Sequence, residues 1–245
     1  MKIIITGMNG TVAPVLAAHL QQHGHSVTAW NRNEVPPDHE AAVEDHVARV
    51  RPDAICHLAN GSATWAETLA RSCHAMGARF LYTSSVSVFS TAQSGPFTID
   101  HAPQPTDEYG RYKLECEQRV RAVNANAVVA RLGWQIGTSA GSNNMIDYLT
   151  RKHDAGGEID ASENWLPACS FLSDTVAALA ALLVDGNARG IYHFESNPGL
   201  SFFEIATRLN ARDRRGWNIR RTTEPRWDQR LIDPRVRLAS LTARL

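Results

Sequence analysis

The sequence predicts an α/β chain built on a doubly wound parallel sheet, with a small lobe toward the C-terminus. Three observations predict it. Short β-branched runs alternate with helix-period stretches through Leu132, which is the spacing of βαβ units. A glycine-spaced turn joins the first run to the first helical stretch. The run Ala54-Ile55-Cys56-His57-Leu58-Ala59 is continuously apolar enough to be a strand covered on both faces.

Each element follows from local signals. Lys2–Thr6 reads as a strand that breaks at Gly7, and Val12–His23 as a helix closed by Gly24. Ser26–Trp30 is the next strand. Asp38 is the expected N-cap of a helix over Glu40–Val50, which Arg51-Pro52-Asp53 ends. The strand from Ala54 follows, then a helix over Thr64–Met76 stopped by Gly77. Arg79–Ser84 is a strand. Residues 90–108, with three prolines and Gly95, read as loop. Tyr109–Val123 is a long helix and Ala127–Leu132 a strand. Beyond Leu132 the pattern loosens. Ser170–Val184 reads as a strand end and an Ala/Leu helix, Gly190–Phe194 as a strand and Ser201–Leu209 as a short helix. The expected strand order is 3-2-1-4-5-6. The expected division is residues 1–133 plus 169–195 for the sheet domain, and 134–168 plus 196–245 for the lobe.

Composition narrows the function classes. Of 245 residues, 43% are hydrophobic and 20% charged, which excludes wholesale disorder. The longest aliphatic run is the nine residues Val176–Val184, against about 20 for a bilayer span. The opening Met1–Gly7 breaks before a signal-peptide core could form, so a cytoplasmic protein without a membrane partner is expected. Cys56, Cys73, Cys116 and Cys169 make no CxxC and no zinc spacing, so free thiols and no metal are expected. The 25 basic and 25 acidic residues cancel, but unevenly. Residues 208–245 hold eleven arginines and four acids, a net of +7 that balances −7 in the rest. The tail carries no nucleic-acid-binding motif and only two aromatics, Trp217 and Trp227, so a nucleic-acid partner is not expected. Diphosphate recognition and docking on the acidic remainder are the expected roles.

Thr6-Gly7-Met8-Asn9-Gly10-Thr11-Val12-Ala13 has the spacing G-x-x-G-x-x-A between a strand and a helix. Gly7 permits the turn, Gly10 lets backbone approach a pyrophosphate, and Ala13 is small enough for helix–strand packing. The helix N-terminus adds free N–H groups and a positive dipole end. This is a dinucleotide-binding turn. The second strand ends in Trp30-Asn31-Arg32, with no acid for a ribose hydroxyl and a cation for a 2′-phosphate. NADP(H) is therefore expected over NAD(H), which stays the second choice.

Tyr109-Gly110-Arg111-Tyr112-Lys113 is a Y-x-x-x-K on a helix, so Tyr109 and Lys113 share a face. A fixed cation beside a phenol makes it a usable acid at neutral pH. Upstream, Tyr82-Thr83-Ser84-Ser85-Val86-Ser87-Val88-Phe89 brings hydroxyls to the carboxyl end of a strand, where ligands bind in open α/β sheets. A competing pattern is Gly137-Thr138-Ser139-Ala140-Gly141, a G-x-S-x-G with Asp174 and His193 following in hydrolase order. The loop-like Ser142-Asn143-Asn144 after it argues against a nucleophile elbow. Trp165 offers a surface to stack on a base or sugar, although a lone Trp is more often core.

With these motifs the chain resembles an extended short-chain dehydrogenase/reductase of the NAD(P)-dependent epimerase/dehydratase superfamily. Pro52–Ala59, Phe80–Phe89 and Tyr109–Glu115 carry the resemblance together with the glycine turn. Arg32–Val43, Arg131-Leu132-Gly133-Trp134, Gly190–Phe194 and Pro225-Arg226 make it most similar to the dTDP-4-dehydrorhamnose reductase-like branch. The resemblance implies a Rossmann-type fold with a small substrate-binding lobe, and reduction of a carbonyl, on a nucleotide-linked sugar. It implies Ser85 as catalytic hydroxyl, Tyr109 as proton donor, and Lys113 as its partner and a ribose contact. Implied cofactor contacts are Gly7, Asn9, Gly10, Thr11, Val12, Asn31, Arg32, Leu58, Ala59, Asn60, Tyr109, Lys113 and Leu132, with Arg131–Trp134 passing near the nicotinamide. Two departures stand out. Pro36 occupies the place of an adenine-binding acid, and only 19 residues separate Asn60 from Phe80. The second shortens a helix that otherwise supplies a dimer contact and a fourth catalytic residue, so a homodimer stays open. An epimerase or dehydratase with retained cofactor, and a catalytically silent NADP-binding regulator, are the alternatives.

Overall fold

The computed structural model describes residues 1–137 and 143–245. Six parallel strands make its central sheet: β1 (Lys2–Thr6), β2 (Ser26–Ala29), β3 (Ala54–His57), β4 (Arg79–Ser85), β5 (Val128–Leu132) and β6 (Gly190–Phe194). The α-helices are α1 (Ala13–Gln22), α2 (Glu40–Val50), α3 (Ala63–Met76), α4 (Glu108–Val123), α5 (Met145–Asp154), α6 (Leu172–Val184), α7 (Phe202–Asp213) and the short α8 (Leu241–Arg244). Successive side chains of a strand point to opposite faces, and β1 buries both. Ile3 and Ile5 pack with Leu16 and Leu20 of α1 and Leu179 of α6. Ile4 packs with Val43 and Val47 of α2, Trp65 of α3 and Val120 of α4. The sheet is covered on both sides, as the apolar runs predict.

The strand order differs from the expected 3-2-1-4-5-6. It is β2-β1-β3-β4-β5-β6, so the chain reverses one strand earlier. The reason lies in residues 30–47. Trp30 Nε1 donates to the Val35 carbonyl at 3.0 Å, and Val35 N to the Asn31 carbonyl at 3.0 Å. The chain therefore curls back at once, and Pro36-Pro37 lack the N–H groups for a further strand. Val43 and Val47 then dock on the face opposite α1. A right-handed crossover on that face delivers β3 to the far side of β1. The strand order now diverges between β1 and β3, and a crevice opens above their carboxyl ends.

Caps fix the helices that frame this crevice. Ser62 Oγ accepts from Trp65 N at 3.2 Å to start α3, and Gly77 ends it at φ +67°. Asp107 Oδ1 accepts from Gly110 N at 2.7 Å to start α4. Asp38 does not cap α2; His39 precedes that helix without a side-chain cap bond.

Past β5 the chain forms more order than its pattern predicts. Strand pairs Trp134–Ile136 with Cys169–Phe171, and Ile159–Ser162 with Ile219–Thr222, lie over a separate apolar cluster. That cluster includes Ile136, Leu149 of α5, Leu209 of α7 and Trp217. The loop over 90–108 contains Phe97–Thr98, paired with Leu231–Ile232 of the tail. Eight tail arginines reach acids within 3.7 Å. Arg220 and Arg221 meet Glu158, Asp160 and Glu163, and Arg244 meets Asp174. Arg230 and Arg235 each fork onto the aspartate two residues before them. Arg220, Arg221 and Arg244 thus dock on acids outside the tail, as expected, while the other five pair with acids of the tail itself. No helix of the described residues is long and apolar enough to cross a membrane.

Candidate active site

The crevice above β1 and β3 opens into a cleft of about 800 Å³. Thr6 ties its floor together. Its Oγ1 lies 2.9 Å from His57 Nδ1 and accepts from Leu58 N at 3.0 Å and Ala59 N at 3.1 Å. Gly7 then turns at φ +85°, where an added Cβ would sit 2.8 Å from Ala59 N. Gly10 N closes the turn on the Gly7 carbonyl at 2.8 Å. Gly7, Asn9, Gly10, Thr11 and Val12 form one wall, and no side chain caps α1 behind them. The first N–H groups of α1 thus keep their anion-binding capacity, and the residues present fit a dinucleotide pyrophosphate. Gly7→Ala is expected to destabilise the protein by about 1–3 kcal/mol and to abolish NADPH binding. Thermal melts and calorimetric titration check both.

The opposite wall comes from β4 and α4. Ser85 ends β4, and its Oγ caps the following single turn by accepting from Ser87 N at 3.1 Å. Tyr109 stands in the first turn of α4 and lines the cleft together with Ser85. Lys113 lies one turn on, with Nζ 5.7 Å from the Tyr109 ring centre. Gly110 explains how the two walls meet. A Cβ there would lie 2.1 Å from the Ser87 carbonyl oxygen and 2.9 Å from Pro105. Only glycine lets α4 begin so close to the Ser85 turn.

The electrostatics differ in one respect from the sequence expectation. Lys113 is 3% exposed and donates to the Thr83 carbonyl at 3.0 Å. Burial pushes its ammonium down to about 8, with Cys116 and Glu117 opposing. The Tyr109 phenol stands above its ordinary value, raised by burial and then by Asp107, while neighbouring Ser85 works the other way. Burial is the largest influence on the phenol, and the Lys113 ammonium is held on the Thr83 carbonyl, so the expected lowering is not present in this state.

The hydrolase pattern falls apart. Ser139 lies outside the described residues. Asp174 is engaged by Arg244 at 2.7 Å and 3.0 Å. His193 is buried between Arg131 Nη1, 3.3 Å from its Nε2, and the Phe97 carbonyl, 3.1 Å from its Nδ1. Burial and Arg131 push it down to about 4. Neither residue is free to serve a nucleophile.

The profile of the RmlD substrate binding domain family matches residues 1–215. The chain belongs to this family. It is 29% identical over 217 residues to a dTDP-4-dehydrorhamnose reductase of Mycolicibacterium smegmatis, covering 82% of this chain and 65% of that one. It is 28% identical over 235 residues to a 2′-dehydrokanamycin reductase of Streptomyces kanamyceticus, covering 86% and 66%. The chain thus spans about two thirds of the length of these two relatives. A crystal structure of dTDP-4-dehydrorhamnose reductase from Bacillus anthracis in complex with NADP superposes with a TM-score of 0.83 at 20% identity, over 95% of this chain and 90% of that one. The fold is that of the Rossmann-type reductases, and the branch read from the sequence motifs is the right one.

Within this RmlD-family chain the cleft gathers most of the residues the motifs point to. Ser85, Tyr109, Lys113, Leu58, Asn60 and Leu132 line it with the glycine turn. Three expected cofactor contacts do not. Ala59 is 3% exposed and packs into the core. Asn31 spends its amide on Glu34 at 2.7 Å and accepts from Asn33 N. Arg32 reaches the rim only through Asn60, whose carbonyl accepts from its guanidinium, while it lies 5.0 Å over the Trp65 ring. Arg131 also departs from expectation. It is buried and forks onto Glu117 at 3.0 Å and 2.7 Å, so only Leu132, Gly133 and Trp134 of that run reach the cleft. Sequence reasoning missed Ser87, Gln135, Asn143 and Gln229 on the far wall. The second hydroxyl of Ser-x-Ser and the glycine after Tyr109 were the available signals. Gln229 had none, because a non-periodic tail carries it beside Trp165, whose Nε1 donates to its Oε1 at 3.4 Å.

Proposed function

We propose that the protein is an NADP(H)-dependent reductase that converts a sugar carbonyl, on a nucleotide-linked sugar, to an alcohol. The observation that carries this is the apposition of Ser85, Tyr109 and Lys113 to the Gly7–Val12 turn across one cleft. The named activity of the Mycolicibacterium smegmatis relative, on a dTDP-linked sugar, supports the nucleotide link, and that of the Streptomyces kanamyceticus relative supports a sugar carbonyl.

In this reading Gly7, Asn9, Gly10, Thr11 and Val12 hold the pyrophosphate. Leu58, Asn60 and Leu132 flank the nicotinamide half, and Lys113 holds its ribose. The bound nicotinamide supplies a hydride to the substrate carbon. Tyr109 gives its phenolic proton to the carbonyl oxygen, and Ser85 hydrogen-bonds the same oxygen, so negative charge is met where it develops. Lys113 steadies the resulting phenolate. Residues 134–168 and 196–245 serve as the substrate lobe. Its separate apolar cluster comes mostly from these segments, with Cys169 and Phe171 joining it through their pairing with Trp134–Ile136, and Trp134 and Trp165 give the cleft aromatic faces suited to a sugar ring.

One observation disfavours a dehydratase. Eliminating water beside a carbonyl requires a further acid and base. No lining side chain among the described residues is a carboxylate, and residues 138–142 contain none. Wild-type protein is expected to consume NADPH one-for-one with a nucleotide-linked keto-sugar. Product formation without net NADPH loss overturns the reductase reading.

Arg32 supports the cofactor preference, because it is the cation nearest the end of β2 and its side chain is exposed. A charged hydrogen bond to the 2′-phosphate is worth about 1.5–3 kcal/mol. Arg32→Ala is therefore expected to weaken NADPH binding on the order of 10–100-fold and to leave NADH binding nearly unchanged. Parallel calorimetric titrations decide it; an unchanged ratio removes Arg32 from the role.

A further inference from the structure

We infer that Gln229 is a specificity-determining residue of the reduction: its side-chain amide donates a hydrogen bond to a neutral hydroxyl of the substrate's sugar ring. The inference rests on the reductase reading given above and names what that site selects.

Which end of the Gln229 amide faces the cleft follows from its neighbour. A glutamine side chain carries an acceptor oxygen and a donor nitrogen, whereas an indole N–H only donates. Trp165 Nε1 lies 3.4 Å from Gln229 Oε1, so the oxygen is turned to the indole and Nε2 is turned away from it. Gln229 is 9% exposed and lines the cleft. Among the described residues its Nε2 has no hydrogen-bond partner, and it is not one of the polar atoms sealed from solvent. The donor therefore opens to the cleft. Gln135, the other glutamine of the lining, has the opposite polarity. Its Nε2 donates to the Gly133 carbonyl at 3.0 Å and to Ser170 Oγ at 3.4 Å, and its unpartnered oxygen is sealed from solvent. Gln229 is thus the glutamine with a donor to offer.

The backbone holds that donor in place. Gln229 N donates to the Leu166 carbonyl at 2.9 Å. On either side, the Asp228 carbonyl accepts from Gly95 N at 2.8 Å and the Arg230 carbonyl from Phe97 N at 2.7 Å. Arg230 also forks onto Asp228 at 2.9 Å and 2.8 Å. A donor fixed in this way discriminates, because it cannot swing to another partner when the ligand offers none.

The charge of the site decides what receives the bond. Among the described residues Lys113 is the one charged side chain of the lining, and it is held on the Thr83 carbonyl. Residues 138–142 carry no charged side chain. A carboxylate beside Gln229 would be desolvated without a counter-charge, and an ammonium has no lone pair with which to accept. A hydroxyl oxygen accepts and stays neutral. Trp165 adds an aromatic face to the same wall, against which the apolar side of a sugar ring packs.

The test is a cycle that removes the two partners separately and together. The probes are dTDP-4-dehydrorhamnose and its 2-deoxy and 3-deoxy analogues, each reduced by NADPH-loaded protein. Wild type is expected to lose on the order of 10–100-fold in kcat/KM on one of the two analogues, since the buried donor is then left unpaired. Gln229→Met, a neutral side chain of similar length, is expected to reduce parent and analogue at equal rates. Gln229→Glu keeps an acceptor for Trp165 and puts an acceptor in place of the donor. It is expected to erase the same preference, so either variant closes the cycle if the other does not fold. Equal wild-type rates on all three probes, or a preference that survives in the variants, overturn the role of Gln229 and leave the reductase reading standing. If wild type reduces none of the probes, the reading of a nucleotide-linked sugar falls, and this inference with it.

Discussion

Tyr109→Phe protein is expected to bind NADPH like wild type and to reduce its substrate on the order of 10²–10⁴-fold more slowly, the usual contribution of a positioned general acid. The substitution removes one oxygen and leaves the ring. The first turn of α4 keeps its Asp107 cap and its close approach to the Ser85 turn, because Gly110 sets that approach. No other tyrosine takes over. Tyr82 is buried in the core, and the Tyr112 hydroxyl accepts from Gly61 N at 3.0 Å. Steady-state kinetics with a matched NADPH titration measure the split. A near-wild-type kcat places the proton donor elsewhere. Loss of NADPH binding shows that the phenol holds cofactor rather than substrate.

Glu117→Ala protein is expected to lose about 3–5 kcal/mol of stability, with a melting point lower by roughly 6–20 °C. Glu117 and Arg131 side chains are 3% and 2% exposed, and they meet through two parallel hydrogen bonds. Truncating one partner leaves a desolvated guanidinium facing only His193 and the Phe89 ring, 5.2 Å away. Breaking such a pair is costly because the remaining charge cannot rehydrate. A denaturant titration checks the figure, and a loss below about 1 kcal/mol shows that water reaches Arg131. The cluster carries a pH signature too. The folded state holds His193 neutral down to about 4, whereas an unfolded histidine titrates near 6.5. The unfolded chain therefore binds more protons in this window. Stability is full above about 6.5 and falls as pH drops toward 4, with a slope of up to about 1.4 kcal/mol per pH unit for this one group.

Local chemistry is what the sequence by itself determined. The β-branched run before Gly7, the spacing of Gly7 and Gly10, and the caps and stops at Gly24 and Gly77 are short-range features. They specify strand, turn and helix without help from the rest of the chain. The same holds for Tyr109 and Lys113, because a helix alone places residues four apart on one face. Sheet class, the glycine turn and the Ser85, Tyr109 and Lys113 set were legible for that reason. The order of the strands was not. It depended on where Val43 and Val47 of α2 found apolar partners, a choice made by Trp30, Ile55 and Trp65 on other elements. Arg131 shows the same limit. Beside Leu132 it reads as a cleft residue, but alternation along β5 turns it to the other face, onto Glu117 and His193. The Arg-rich tail carried no period, since its strands are two to four residues long and exist only where a partner strand receives them. Gln229 beside Trp165, Gly110 against Ser87 and the desolvation of Lys113 are likewise products of chain crossings. Distance between segments decided them, and sequence spacing does not encode that distance.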